Sequence, residues 1–356
     1  MTEAPSGHTS AVHLLDQWFP VCTARELRGR PIARVLQGVP LALFRDAGGA
    51  PAALQDRCPH RNAPLSLGRR AGDHLECAYH GWRFARGGAC VAVPGLAEPG
   101  GLPGSGGAPG RAAVAHAAVE QDGLVWVFST AGAAPAGPPP FRFPHLADAR
   151  YTTVRHAQRM RGTVLAAVEN ALDVPHTAFL HGGLFRTPRR RSVVEVIVRR
   201  GADRVEAEYV GEPRPAGLLG RLLAPGGGTV EHHDRFLLPC LAQVEYRLGA
   251  GSHLVVTTAF TPVSGDEVHL FTAVSFRLPL PGVLVRPFVA PLALRVLAQD
   301  AHMLAAQAEN VSRFGGERFA STELDVLGPH VGHLLRRAAR GEPGEPFEPM
   351  TRRMEV

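Results

Sequence analysis

Two short loops, each pairing a cysteine with a histidine, constrain this chain more than any other feature of its sequence. The first contains Cys58-Pro59-His60 and the second contains Cys77-Ala78-Tyr79-His80. Each loop places one thiolate and one imidazole side by side, and the nearby glycines Gly68 and Gly81 allow tight turns. Short apolar or alternating runs flank the loops, so the sequence predicts that both lie in an all-β module.

The four side chains of these loops form a ligand set for a metal. Two Cys and two His can bind zinc tetrahedrally. Zinc sites more often pair Cys with Cys and His with His, whereas a mixed pair in each loop suits a [2Fe-2S] cluster with two thiolates on one iron and two imidazoles on the other. Zinc stays open as an alternative at this point. The other cysteines have no such spacing and are expected to be small buried side chains, namely Cys22, Cys90 and Cys240.

A second group of candidate ligands follows a helical pattern over Gly162 to Leu172. His176 and His181 are five positions apart, so they do not share one face of a regular α-helix. Pro175 and this spacing predict a helix end or an irregular turn that aims both imidazoles at one point. A distant carboxylate would complete a 2-His-1-carboxylate set with open positions for O2 and substrate. Two unrelated surface histidines are the alternative.

Around these residues the chain resembles the Rieske non-haem iron oxygenases, in particular the oxygenase (alpha) components of the vanillate/dicamba O-demethylase type. The resemblance is carried by Cys58 to Gly68, by Cys77 to Phe84, and by Asn170-x-x-Asp173-x-x-His176-x4-His181. It implies one [2Fe-2S] Rieske cluster per chain, with Cys58 and Cys77 on one iron. His60 and His80 would hold the other iron.

The same resemblance implies one mononuclear Fe(II) per chain, held by His176, His181 and an aspartate on a late helix. Gln299-Asp300 resembles the family's segment for that aspartate, so Asp300 is the expected third ligand. Glu309 and Asp325 are the competing carboxylates.

Asp173 carries a separate role by resemblance. In the family, the equivalent aspartate bridges a cluster histidine of one subunit to an iron-ligating histidine of the next, which here implies His80 of the partner subunit, Asp173 and His176. Such a bridge fixes both imidazole tautomers and requires a ring-shaped homotrimer. Asn170, one turn earlier, is a candidate supporting residue.

The resemblance and the element pattern together predict an all-β Rieske domain followed by an α+β helix-grip (START/Bet v 1-like) catalytic domain. In the second domain a curved sheet would wrap a long helix, read over Pro287 to Phe314, and enclose an apolar pocket. The expected boundaries are an N-terminal tail over 1–15, the Rieske domain over 16–130, a Pro/Gly/Ala-rich linker over 131–145, the catalytic domain over 146–340 and a C-terminal tail over 341–356.

Composition narrows the partners and the location. The chain is 45% hydrophobic and 20% charged, as globular proteins are, and it shows neither an uninterrupted apolar run of membrane-spanning length nor a secretion signal. A cytoplasmic protein without a membrane partner is expected. The formal charge of +6 comes entirely from arginine, which fits a GC-rich coding sequence better than nucleic-acid binding. The cluster Arg189 to Arg191 is a solvated loop or, alternatively, a docking surface for an acidic electron-transfer partner.

The implied reaction uses O2 and electrons from NAD(P)H, delivered by a separate flavin/iron-sulfur reductase or ferredoxin. It would hydroxylate or O-/N-demethylate an apolar or aromatic small molecule. The first alternative is cis-dihydroxylation of an aromatic ring. The second is a Rieske electron carrier without a working mononuclear iron.

Overall fold

The computed structural model of the chain describes residues 9–95, 110–182, 192–213, 230–249 and 251–355. These residues form two compact units. One spans Leu14–Arg142, and the other comprises the chain from Phe143 onward together with the N-terminal residues up to His13. The chain therefore enters its second unit inside the segment 131–145, which the sequence analysis treats as a linker. The Arg189 to Arg191 cluster lies outside the described residues.

The first unit is built from short antiparallel strands, as the sequence predicts. Along the chain they are β1 Trp18–Thr23, β2 Ile32–Leu36, β3 Val39–Arg45, β4 Pro51–Gln55, β5 Arg69–Ala71, β6 His74–Glu76, β7 Arg83–Phe84, β8 Cys90–Ala92, β9 Ala115–His116, β10 Ala118–Gln121 and β11 Leu124–Phe128. They pair into three sheets with the orders β1-β11-β10, β2-β3-β4-β9 and β5-β6-β7-β8.

The two cysteine loops connect strands of these small sheets. The first loop lies between β4 and β5, and the second lies between β6 and β7. Both cysteines are buried in a core that also contains Phe44, Leu75 and Phe84. Gly68 is required beside the first loop, because a Cβ atom there would lie 2.1 Å from the carbonyl oxygen of Glu76.

The second unit contains one eight-stranded antiparallel sheet. Its strands are β12 Thr152–Arg161, β13 Val193–Arg200, β14 Arg204–Val210, β15 Val230–Leu237, β16 Leu241–Leu248, β17 Ser252–Pro262, β18 Glu267–Arg277 and β19 Phe347–Glu355. Their order across the sheet is β12-β18-β17-β16-β15-β14-β13-β19. A tail is predicted over 341–356, but β19 lies there as a paired edge strand. Its alternation is too weak to reveal it, because Met354 is its one buried residue.

Four helices accompany this sheet in the described part of the chain: α1 Val164–Leu172, α2 His176–Phe179, α3 Gly282–Arg313 and α4 Gly328–Ala339. The long helix α3 packs on the sheet, where Val285 joins Val154, Val274 and Phe276 in a buried cluster. It begins at Gly282 rather than at Pro287, because Pro287 and Pro291 are accommodated inside it. A sheet packed on a long helix is the α+β arrangement that the sequence predicts.

Helix α3 also corrects one expectation about composition. Over an 18-residue window its mean hydropathy is 1.3, so by length and composition it is apolar enough to cross a membrane. Arg286 and Arg295 interrupt its apolar residues, so no uninterrupted apolar run of membrane-spanning length occurs there. Its first half exposes Val283, Leu284 and Phe288.

Candidate metal centres

The two cysteine loops have the same backbone conformation. In the first, the N–H of Cys58 donates to the carbonyl of Ala63 at 2.8 Å, and the N–H of Asn62 donates to the carbonyl of Cys58 at 2.8 Å. In the second, Cys77 bonds the carbonyl of Trp82 at 2.8 Å and accepts from Gly81 at 3.0 Å. Asn62 and Gly81 take equivalent positions with positive φ, 61° and 70°. The repeated turn explains why the sequence needs glycine or asparagine there.

The four predicted cluster ligands lie side by side in these loops. Cys58 and Cys77 are 2% and 3% exposed, while His60 is half-buried and His80 is exposed. The rings of His60 and His80 have centroids 4.5 Å apart, and His60 also stacks on Trp82 at 4.8 Å. The thiols therefore point into the core and the imidazoles point outward.

The chemistry of this donor set fits an iron-sulfur cluster. Burial, with a contribution from the neighbouring Cys77 thiol, raises the pKa of Cys58 to about 11, so a thiolate forms there only with a cation beside it. Burial and the adjacent His80 ring hold the pKa of His60 below its usual value, which keeps that ring neutral as a ligand must be. The Nδ1 atom of His60 is buried without a hydrogen-bond partner, as expected of a ligating nitrogen.

The second candidate centre forms where α1 ends. Thr163 caps the start of α1 by accepting from the N–H of Ala166, and Asp173 is the residue that follows its last turn. Pro175 then precedes the short helix α2, whose first residue is His176. This break supplies the irregular turn that the five-residue spacing predicts.

Three predicted ligands converge at this break. The Nε2 atoms of His176 and His181 are 3.2 Å apart, and they lie 3.6 Å and 3.1 Å from Oδ1 of Asp300 on α3. The three ligand atoms lie within 4.8 Å of one another. His181 is 2% exposed and Asp300 is 8% exposed, so the site is buried. Two histidines and one carboxylate leave positions open on an octahedral metal ion.

Neighbouring groups set the tautomers of both histidines. Nδ1–H of His176 donates to the carbonyl of Asp173 at 2.5 Å, and Nδ1–H of His181 donates to Oε1 of Gln299 at 3.0 Å. Each Nε2 is therefore left with its lone pair facing the other at 3.2 Å. Two lone pairs at this distance repel unless a proton or a metal ion lies between them, so the geometry fits a cation.

Electrostatics favour a positive charge at this centre. Burial lowers the pKa of His176, but its bonds to Asp173 and Asp300 outweigh burial and raise the pKa to about 9. A metal ion that binds here displaces this proton. Asn170 donates to Oδ1 of Asp300 at 3.4 Å, and Oδ2 of Asp173 accepts the backbone N–H of His176 at 3.0 Å.

The competing carboxylates Glu309 and Asp325 are not among the three ligands that converge. Glu309 is exposed and pairs with Arg313 on α3, and Asp325 accepts the backbone N–H of Thr322. His302 is exposed on the helix surface. The three other cysteines, Cys22, Cys90 and Cys240, are buried and free, as expected.

One functional neighbour is not predicted from the sequence. Gln299 bonds His181, and its adjacency to Asp300 is the signal that points to it. Glu169 precedes Asn170, and burial followed by the charges of Asp325 and Asp173 raises its pKa to about 7. A motif of ligands does not show which neighbouring side chain turns toward them.

Comparisons with known proteins agree with both centres. Residues 17–108 match the family model of the Rieske [2Fe-2S] domain, and residues 160–341 match that of the vanillate O-demethylase oxygenase C-terminal domain. The oxygenase component of chloroacetanilide N-alkylformylase from Rhizorhabdus wittichii is 28% identical over 92% of this chain and 95% of its own length. The oxygenase component of dicamba O-demethylase from Stenotrophomonas maltophilia is 35% identical over 47% of each chain. A crystal structure of dicamba monooxygenase bound to dicamba superposes with a TM-score of 0.72 at 24% identity, covering 93% of this chain and 98% of that one.

Proposed function

The chain belongs to the Rieske non-haem iron oxygenases whose catalytic half is a vanillate O-demethylase oxygenase C-terminal domain, and we propose that it hydroxylates or O-/N-demethylates an apolar or aromatic small molecule. The convergence of His176, His181 and Asp300 on one point carries this proposal. A chain that only passed electrons onward would need no second set of ligands with open positions.

The two centres supply different chemistry when they are loaded. The cluster stores an electron and the mononuclear iron activates O2, while the protein fixes the ligands and shapes the pocket. Electrons come from outside this chain, through an NAD(P)H-dependent flavin/iron-sulfur reductase or a ferredoxin. The exposed ring of His80 gives the cluster its contact with a partner surface.

Within the catalytic unit, each ligand is held by a second residue. Gln299 holds His181 from α3, so one helix supplies both Asp300 and the group that orients His181. The carbonyl of Asp173 holds His176. These bonds keep both Nε2 atoms directed at Asp300, and a bound metal ion would displace the proton that His176 otherwise carries there.

The carboxylate of Asp173 suits an electron path between subunits. Its side chain is 36% exposed, whereas those of His176 and His181 are 21% and 2% exposed. It therefore can accept an N–H from His80 of the partner subunit while its other contacts hold His176. This role requires an assembly in which the cluster of one subunit meets the iron site of another, for which a homotrimer is the expected form.

Metal analysis of anaerobically purified protein tests the proposal. About three irons and two acid-labile sulfides per chain, with a Rieske electron paramagnetic resonance signal after reduction, are expected. The matched control is His181→Ala, which should keep the cluster and its signal but lose the third iron. A wild-type protein with about two irons, even after Fe(II) is added, would instead be an electron carrier.

Products formed under labelled O2 then separate the outcomes within the enzyme class. Demethylation releases formaldehyde and hydroxylation adds one labelled oxygen atom. A cis-diol with two labelled atoms would make the chain an aromatic-ring dioxygenase and would overturn the monooxygenase assignment.

A further inference from the structure

A row of aromatic and polar side chains crosses the catalytic sheet on the face that packs against α3. Tyr209, His232 and Tyr246 are register partners on β14, β15 and β16, and the row continues through Leu254 and Phe276 on β17 and β18. The last two belong to the hydrophobic cluster formed with α3. Because register partners point to the same side of a sheet, Tyr209 and His232 face that side too.

His232 is enclosed on every side. Its Nδ1 lies 2.6 Å from Oε2 of Glu212 and its Nε2 lies 3.0 Å from Oδ1 of Asp234, while Tyr209 and Tyr246 stack on its two faces at 4.3 Å and 4.0 Å. Burial lowers the pKa of His232, but Asp234 and Glu212 outweigh burial and raise it to about 9. One imidazolium thus shares its charge between two carboxylates, and both of its N–H groups are already used.

The hydroxyl of Tyr209 is the free group in this cluster. Tyr209 is 2% exposed, and its oxygen has no hydrogen-bond partner in the described part of the chain. Burial, with the charges of Asp234 and Asp173 among others, raises its pKa well above the usual value, so it is a neutral donor. A buried O–H without an acceptor is costly, and a ligand atom is a common reason for one.

A cavity of about 590 Å³ opens beside this cluster. Tyr209, Glu212 and His232 line it together with Val210 and Val230, and the polar side chains of Glu208, Glu231 and His233 line it as well. Its size is within the range of small-molecule sites. Helix α1, which Asp173 follows, packs on β15 and β16, the strands that carry His232 and Tyr246. The cluster therefore lies on strands that contact the helix leading into the iron site.

We propose that Tyr209, His232, Asp234 and Glu212 form the polar end of the substrate pocket and select an uncharged substrate carrying a hydrogen-bond acceptor, such as an amide, over a carboxylate. The inference rests on the proposed oxygenase function and adds the substrate's charge class. The Tyr209 O–H donates to the acceptor. Asp234 and Glu212 repel an anion. His232 has no free group to bind an anion, because Tyr209 and Tyr246 cover its ring faces and two carboxylates already accept its N–H groups.

Binding measurements on the iron-loaded holoprotein test this inference with matched aryl methyl ethers. The probes are 4-methoxybenzamide, 4-methoxybenzoate and 4-methoxytoluene, with the corresponding methoxynaphthalene series for a larger pocket, and the method is isothermal titration calorimetry. The wild-type protein should bind the amide at least about tenfold more tightly than the carboxylate. Tyr209→Phe should weaken amide binding about 2- to 10-fold and leave the methoxytoluene unchanged. Asp234→Asn should lower the ratio of amide affinity to carboxylate affinity.

The control is Tyr151→Phe, which removes a hydroxyl bonded to His253 at 2.5 Å in the same unit and should leave the affinity ratios unchanged. Thermal unfolding checks folding, and Tyr209→Phe should not lower stability because the hydroxyl it removes has no partner. Any one of three results would overturn the inference. The first is equal affinity of the wild-type protein for amide and carboxylate. The second is a loss of affinity in Tyr209→Phe that is the same for amide and methoxytoluene, and the third is no binding of any neutral probe. Continued oxygenation of an ether by that same protein would leave the proposed function standing.

Discussion

Replacing Asp173 with Asn should separate metal binding from electron transfer. Oδ2 of Asp173 accepts the backbone N–H of His176 at 3.0 Å, and an asparagine oxygen can still do this. The stability cost should therefore stay below about 1 kcal/mol, or less than about 4 °C in the unfolding temperature. A carboxylate can accept this backbone N–H and the N–H of the partner subunit's His80 at once, whereas an amide has one acceptor oxygen and presents N–H groups on its other side. We expect the rate of electron transfer from cluster to iron to fall about 100-fold.

The assay is a single turnover of the chemically reduced holoprotein. It is mixed with O2 and an accepted ether substrate, and reoxidation of the cluster is followed by its visible absorbance. Iron and sulfide contents of Asp173→Asn should match those of the wild type. Asp203→Asn is the control, because Asp203 is an exposed carboxylate of the same unit that pairs with Arg204. Wild-type reoxidation in Asp173→Asn, with both centres filled, would refute the bridge.

The other expected outcomes concern the two centres and the buried histidine. Gln299→Leu removes the acceptor that orients His181, so Fe(II) should bind about 10- to 100-fold more weakly in a chelator competition, and unchanged affinity would contradict the assigned contact. His60→Cys puts a thiolate in place of a neutral imidazole, so a redox titration should show the cluster potential moving toward about −400 mV, and an unmoved potential would remove His60 from the ligand set. The pKa of His232 rises from 6.5 to about 9 on folding, so its stabilisation is fully present below about pH 6.5 and is lost as the pH rises through about 9. Denaturant unfolding should show this as a loss of about 3 kcal/mol, which His232→Gln should abolish, and equal pH profiles would contradict it.

The cluster loops were predictable because each is a local structure. Cys58 and His60 are two positions apart, and the turn that presents them closes within the loop through the bond from Cys58 to Ala63. Their geometry depends little on the rest of the chain. The strands of both units could also be predicted locally, because some are short apolar runs, such as β4 and β11, and others alternate clearly, such as β13 and β14.

Asp300 could be predicted as the third iron ligand from the resemblance to the family, but not from the residue pattern alone. Asp300 lies beside His181 because α3 packs on the eight-stranded sheet. The separation of the two residues in the sequence does not predict this contact. The edge strand β19 and helix α4 also escaped prediction. Polar residues dominate β19, so its placement follows from its pairing with β13, whereas α4 does carry a buried apolar stripe at Val331, Leu334 and Leu335.

The polar cluster of Tyr209, His232, Asp234 and Glu212 is a feature that the sequence does not predict. In β15, polar or charged residues stand on both faces, with Glu231 and His233 alternating with His232 and Asp234, so Val230 and Phe236 are the only apolar signs that the second pair is inside. Register decides it, because pairing with Tyr246 turns His232 toward the face that packs on α3. A strand that buries an imidazolium and a carboxylate gives up apolar burial that a valine or leucine would supply. A buried charge that acts on a ligand gives a reason for this cost. We therefore expect the polar cluster, and not the apolar side chains around it, to determine which substrate binds.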